Sequence, residues 1–277
     1  MKKGSLSTFF LIVVLLIGLS LLLYPSFSDY WNSKQQSYAV ATYVEKVSNM
    51  SEDQYKELWD AAIEYNKSLL KRENEYVLNE EQKALYNKLL SIDGDPIMGY
   101  VDIPSIGVYL PLYHGTDESA LQVAIGHLEW TSLPTGGENT HCAVSGHRGL
   151  PSARLLTDLD QLIVGDHFVL NVLDKMFTYE VDQIRIVEPH HVEDLLIQEG
   201  KDLCTLVTCT PYGVNSHRLL VRGHRVENAA QTRLVRVTAD AFIIEKLVVA
   251  PFVLVPILMI MLPFLLSGGN NGRRRKK

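Results

Sequence analysis

Two long stretches of this chain carry no Asp, Glu, Lys or Arg, one between Lys3 and Asp29 and one between Lys246 and Arg273. Each exceeds the roughly 20 apolar residues that cross the hydrocarbon core of a bilayer. A chain built this way is no simple cytosolic enzyme, and with two such windows it is no polytopic transporter either. All 32 acidic residues lie between the windows, with 19 of the 26 basic ones, so the middle of the chain carries a net charge of −13. The flanks hold only Lys2, Lys3 and the run Arg273, Arg274, Arg275, Lys276 and Lys277. Cationic flanks stay on the cytoplasmic side of a membrane. The expected location is therefore the cell membrane, with both termini cytoplasmic and the acidic middle extracellular.

Lys2-Lys3 followed by the apolar run Phe9–Leu23 also fits a secretory signal. Ser26-Phe27-Ser28 is a poor small-x-small cleavage site, so an uncleaved anchor is the expected form, and either outcome exports the middle. The second window, Leu247–Leu266, contains Pro251, Pro256 and Pro263, which a spanning helix tolerates at some cost. The basic run directly after it argues for a stop-transfer span rather than an interfacial tail. A domain at −13 repels nucleic acid, whose phosphates require the opposite sign, so no nucleic-acid partner is expected. Three cysteines, Cys142, Cys204 and Cys209, are too few and odd in number for a disulfide framework.

Composition and pattern divide the chain into an anchor at 1–28, a helical region at 29–95 and a β domain at 96–227. A linker at 228–245, a second span at 246–269 and a basic tail at 270–277 follow. In the helical region, Ser51-Glu52-Asp53-Gln54 reads as a capping box, with Leu58, Ala61, Ala62, Tyr65 and Leu69 at helical spacing. Asn79-Glu80-Glu81-Gln82 opens a second helix with Leu85, Leu89 and Leu90 as its stripe, and Lys71–Leu78 is a polar connector, so a helical hairpin is expected.

Past Asp93-Gly94-Asp95-Pro96 the period changes. Met98–Ile103, Val108–Tyr113, Cys142–Ser145, His167–Val172, Phe177–Val187, Leu203–Thr210 and Leu219–Val226 are short runs rich in Val, Ile, Leu, Thr and Tyr, separated by turn residues. Short helical pieces are expected at Ser119–Ile125, Ser152–Leu162 and Val192–Gln198. Many short strands with few helices indicate a closed or nearly closed β-barrel.

Chemistry centres on Cys209, which ends the run Leu203-Cys204-Thr205-Leu206-Val207-Thr208-Cys209 and precedes a turn containing Pro211 and Gly213. A strand end beside a loop is where a rigid scaffold presents a reactive group. Cys204 lies an odd number of residues earlier and so faces the other side of the strand; it reads as a packed core thiol, as does Cys142. A nucleophilic thiol needs a base, because only the thiolate attacks. Among nine histidines, His147 in Ser145-Gly146-His147-Arg148-Gly149 follows a buried strand and leaves through flexible residues. His190-His191 has no Cys or carboxylate at zinc spacing nearby, so no metal is expected. An oxyanion formed on a carbonyl calls for a donor. Arg218 and Arg222 share a face of the strand after the Pro211–Ser216 turn, and periodicity does not choose between them.

Thr205-Leu206-Val207-Thr208-Cys209 resembles the Thr-Leu-x-Thr-Cys signature of sortases, the cell-surface cysteine transpeptidases of Gram-positive bacteria. Met98-Gly99-Tyr100-Val101-Asp102-Ile103-Pro104, Leu110–Thr116, Gly146-His147-Arg148-Gly149-Leu150-Pro151 and Thr208–Gly223 resemble the class C, pilus-building branch, so the likeness runs from about residue 96 to 226. The resemblance implies a mainly β, sortase-type closed barrel with short helices, preceded by the helical hairpin and flanked by two transmembrane helices. It implies Cys209 as nucleophile, His147 as acid and base, Arg218 as the essential arginine and Thr208 as a lining residue of the substrate pocket, with no cofactor. The implied partners are secreted pilins or surface proteins bearing a Leu-Pro-x-Thr-Gly-like sorting signal, and a pilin lysine as the amine acceptor. Class C lids are anchored by an Asp-Pro-aromatic motif, whereas Asp95-Pro96 is followed by Ile97 at the first strand and does not fit that role. The connector Lys71–Leu78 is the expected lid position, with Tyr76 as its plug. Competing readings are a sortase that attaches proteins to cell-wall peptide stems, a hydrolytic cysteine protease, and a membrane-anchored binding module without activity.

Overall fold

The computed structural model describes residues 3–71 and 76–228, with side chains from Phe10 onward. The expected linker, second span and basic tail lie outside the described residues from 229 on. Among the described residues, those from Asp29 onward form one compact unit, and those up to Ser28 belong to another.

Helix α1 runs from Lys3 to Ser48, longer than the expected anchor, and Pro25 lies within it. Among the described residues it is the one helix long and apolar enough to cross a membrane, by length and composition. Its part after Ser28 docks by one stripe, in which Val40 is 1% and Tyr43 2% exposed. The Tyr43 hydroxyl donates to the Met98 carbonyl at 2.9 Å and accepts from the Leu173 amide at 2.8 Å, so no buried polar atom there goes unpaired. Helix α2, Glu52–Leu69, starts with the Ser51–Gln54 capping box. Asn66, buried on it, bonds both the amide and the carbonyl of Leu133. Helix α3, Glu80–Tyr86, is capped by Asn79 but stops sooner than expected. Leu90 takes a left-handed φ of 57°. The buried stripe is therefore Tyr86, Leu89 and Leu90, while Leu85 is exposed.

Eight strands follow: β1 Ile97–Ile103, β2 Val108–His114, β3 Ile125–His127, β4 Thr140–Ser145, β5 His167–Val172, β6 Lys175–Val187, β7 Asp202–Thr210 and β8 His217–Val226. They close into a barrel in the order β1-β2-β3-β4-β7-β8-β6-β5. The pairs β2–β3 and β4–β7 are parallel and the others antiparallel. Closure removes the open edges that a sheet of this length would otherwise expose. The expected helix at Ser119–Ile125 is a single turn, α4 (Glu118–Leu121), and its last residue, Ile125, instead begins β3. The other two expected helical pieces shrink to 3₁₀ turns at Leu159–Gln161 and Glu193–Leu195.

Strand β7 reads as an unbroken apolar run because both of its faces are covered. Cys204 and Leu206 point into the barrel core, where Cys142 and Val144 of β4 meet them. Val207 points outward into a second cluster with Ala143, Val187, Leu195 and Leu220, against which Leu128 and Trp130 pack.

Two buried histidines make the fold sensitive to acid. His141 is fully buried, its Nδ1 at 2.9 Å from the Leu196 carbonyl and its Nε2 at 2.7 Å from Thr205 Oγ1. Burial pushes its pKa down to about 4, and burial lowers that of His114 as well. Below the ordinary histidine value of about 6.5 the unfolded chain takes up a proton that native His141 refuses. Stability is therefore complete above that value and is lost as the pH falls toward 4, by on the order of 3 kcal/mol from His141. Asp202, whose carboxyl burial raises, acts in the opposite sense. The urea midpoint of the protein in detergent should be lower at pH 5 than at pH 7, and His141→Asn should flatten the difference. Equal midpoints for the unmodified protein would contradict this account.

Candidate active site

The end of β7 is where the sequence stops being covered on both sides. Thr208 is 1% exposed, and Cys209, one residue on, is half-buried. Cys209 is the register partner of Arg218 on antiparallel β8. Directly opposed residues share a face, with Cβ atoms about 4.5–5.5 Å apart. The guanidinium thus leaves the sheet beside the thiol. Its Nη1 donates to the carbonyls of Asn215 at 3.3 Å and His217 at 3.1 Å, and no carboxylate among the described residues pairs with it. Arg222 is committed elsewhere: its Nε and Nη2 bond the two Asp182 carboxylate oxygens at 2.9 and 3.1 Å. Of the two arginines that periodicity left open, Arg218 shares the Cys209 rung and Arg222 is held by Asp182.

His147 comes from the other side. Strands β4 and β7 run parallel with Ser145 opposite Val207. The pairing continues one step, the Gly146 amide donating to the Val207 carbonyl at 3.1 Å. His147, two residues past Ser145, therefore leaves beside Cys209, two residues past Val207. The approach before it is close: a Cβ at Gly146 would stand 2.8 Å from Ile125 Cγ2 and 2.9 Å from Leu156 Cδ1, so a larger residue would displace those side chains. His147 Nε2 is enclosed with no hydrogen-bond partner, and Glu118 Oε2 lies 3.7 Å from it.

Thr208, expected to line the substrate pocket, is buried, and its hydroxyl donates to the Gly146 carbonyl at 2.8 Å, tying β7 to the His147 segment. A residue that sequence reasoning passed over adds a second tie. Arg148 donates from Nη1 to Thr210 Oγ1 at 3.3 Å and is ion-paired with Asp160. Its only signal was its place in Gly146-His147-Arg148-Gly149. Tyr76 stands edge-on against Trp130, with ring centroids 5.2 Å apart and planes at 84°. His190 and His191 each face carboxylates, Glu188 at 3.1 Å for the first and Glu193 and Asp194 at 3.0 and 3.1 Å for the second. Cys142 and Cys204 are opposed across β4 and β7 and buried in the barrel core.

The Sortase domain model matches residues 101–226. Sortase C1 from Streptococcus agalactiae superposes with a TM-score of 0.68 at 53% identity, covering 69% of this chain and 100% of that one. Sortase C from Streptococcus pneumoniae gives 0.63 at 43% identity, covering 70% and 100%. In sequence, the chain is 31% identical over 131 residues to Sortase D of Bacillus subtilis, covering 46% of this chain and 63% of that protein. Against Sortase A of Streptococcus agalactiae it is 32% identical over 118 residues, covering 42% and 47%. It thus spans less than two thirds of these curated relatives, whereas the solved neighbours are matched over their whole length. By the domain match and the full-length likeness to solved sortase C structures, the chain belongs to the sortase family of cysteine transpeptidases, in its class C branch.

Proposed function

We propose that this protein is a membrane-anchored transpeptidase that joins pilins through a thioester on Cys209. The thiolate attacks the Thr–Gly carbonyl of a Leu-Pro-x-Thr-Gly-like sorting signal. Arg218 steadies the developing oxyanion, and His147 protonates the departing glycine amine, leaving an acyl-enzyme. His147 then removes a proton from a lysine amine of the next pilin, which attacks the thioester, forms the isopeptide bond and releases the thiol. The observation that carries this reading is the shared rung of Cys209 and Arg218, with the His147 segment laced to the same strand. The sortase C relative from Streptococcus pneumoniae is described in connection with pilin substrate specificity, which favours a pilin as partner here too.

Tyr76 fits the role of a plug. It rests on Trp130, which packs on the outer cluster containing Val207, two residues before the nucleophile. The apolar part of α1 supports membrane anchoring, and the acidic middle between cationic flanks supports an extracellular catalytic domain with cytoplasmic termini. An anchored enzyme meets substrates retained in the same membrane at raised effective concentration.

Incubating the protein with a sorting-signal peptide should give an adduct of the acyl fragment's mass by intact mass spectrometry, formed faster in Tyr76→Ala. Adding a lysine-bearing pilin should discharge it to an isopeptide product. Discharge by a peptidoglycan-stem amine alone would make this a wall-anchoring enzyme, and discharge by water alone a protease. No adduct at all would end the proposal.

A further inference from the structure

Helix α1 presents three polar side chains on one face just after Ser28, and all three hold backbone groups of the loops around His147. Asp29 Oδ1 accepts from the Arg154 amide at 2.8 Å. Asn32 Nδ2 donates to the Ser152 carbonyl at 2.8 Å. Gln36 Nε2 donates to the Val123 carbonyl at 2.8 Å, and Gln36 is 8% exposed, a burial that an amide tolerates only when bonded. Spacings of three and four residues place the three in line with Val40 and Tyr43, the apolar part of the same docking stripe.

What these bonds hold is the base's own support. The loop from His147 to Thr157 closes on itself: the Leu156 amide donates to the His147 carbonyl at 3.2 Å, and the Gly149 amide to Thr157 Oγ1 at 3.1 Å. Between them Leu150 and Ala153 form a bridge, so Ser152 and Arg154 sit at and beside the loop's turn. Val123 stands between α4, whose Glu118 faces His147, and β3, whose Ile125 abuts Gly146. The helix therefore touches both walls of the slot in which the imidazole sits, without touching the imidazole.

We propose that Asp29, Asn32 and Gln36 are positioning residues for His147, which hold its loop and the α4–β3 turn so that the imidazole is presented to the thioester chemistry. The proposal rests on the transpeptidase reading above. Surface loops are mobile by default, and a catalytic group displaced by about 1 Å can lose on the order of 100-fold in rate. The three residues bond backbone groups of the His147 loop and of the α4–β3 turn rather than Cys209 or Arg218, so the effect belongs in kcat rather than in KM.

The test uses the full chain in detergent micelles, comparing the unmodified protein, the triple variant Asp29→Ala, Asn32→Ala, Gln36→Ala, and Asp29→Asn alone, which keeps the accepting oxygen. The triple variant should lose about 10- to 100-fold in kcat for acylation by a sorting-signal peptide, with KM within about threefold and an altered pH–rate profile. Asp29→Asn should behave as the unmodified protein. Amide hydrogen exchange at Gly149 and Leu156 should accelerate in the triple variant while exchange in β5 and β6 stays as it was. Retention of kcat within about threefold, or unchanged exchange at those two amides, overturns the proposal. Exchange needs no substrate. If the unmodified protein forms no adduct, the transpeptidase reading fails, while the exchange result still decides whether α1 orders the His147 loop.

Discussion

Cys209→Ala should abolish the acyl adduct and lower transpeptidation by at least about 10³-fold, while Cys204→Ala and Cys142→Ala should keep the adduct. The three thiols are distinguished by parity and register. Cys204 and Cys142 face the barrel core, and Cys209 emerges half-buried at the strand end opposite Arg218. Removing a core thiol leaves a small cavity, a cost in stability and not in chemistry. In the same assay Arg218→Lys should cost about 10²–10³-fold, because an ammonium keeps the charge but not the planar fork of donors. Arg222→Lys should act instead on stability, since it disrupts a bidentate pair with Asp182 four rungs away. An adduct that persists in Cys209→Ala would move the nucleophile to another residue. Equal losses in Arg218→Lys and Arg222→Lys would undo the assignment of the arginine.

The largest structural effect is expected at Gly126. A Cβ there would lie 2.0 Å from the Gly115 carbonyl oxygen and 3.1 Å from its carbon, both backbone atoms that no rotamer change can clear. Gly126 sits in three-residue β3, paired with Tyr113 on one side and Ser145 on the other. It therefore joins β2 to β4, and a strand this short cannot shift without opening the barrel. Overpacking a core costs about 1–3 kcal/mol when side chains can yield. Against backbone the cost should be at the top of that range or beyond it, at least about 3 kcal/mol. Gly126→Ala should show a large drop in urea midpoint, or expression only as insoluble protein. Gly165→Ala is the control. It isolates backbone strain, with a positive φ of 96° but nothing within 4 Å of the added carbon, and it should cost less. A Gly126→Ala protein as stable as the Gly165→Ala protein would show that β3 yields, and that it is not the seam of the barrel.

Strand β3 is also where the reading of the sequence went wrong, and for a physical reason. Three residues cannot display a period, and Ile125-Gly126-His127 is held by partners far along the chain rather than by its own preference. The helix after Asn79 failed similarly. Its cap was legible because a capping box is a local device, but its end was set by Leu89 and Leu90 being drawn into the core, with Leu90 turning left-handed. Strand β7 succeeded because burial on two faces writes an uninterrupted apolar run, and the parity of Cys204 against Cys209 follows from the pleat alone.

What the sequence determined by itself was whatever depends on neighbours in the chain: charge-free windows, caps, strand runs, turn residues, and the motif around Cys209 by which the sortase likeness was recognised. What only the tertiary structure decided depends on residues distant in the chain that meet. It set Arg218 on the Cys209 rung and paired Arg222 with Asp182, turned Thr208 inward to bond Gly146, and laid α1 against the loop that carries His147. One-dimensional patterns report which face of an element is buried. Which partner buries it is settled by closure of the barrel, and that closure aligns the strand ends from which Cys209, Arg218 and His147 project.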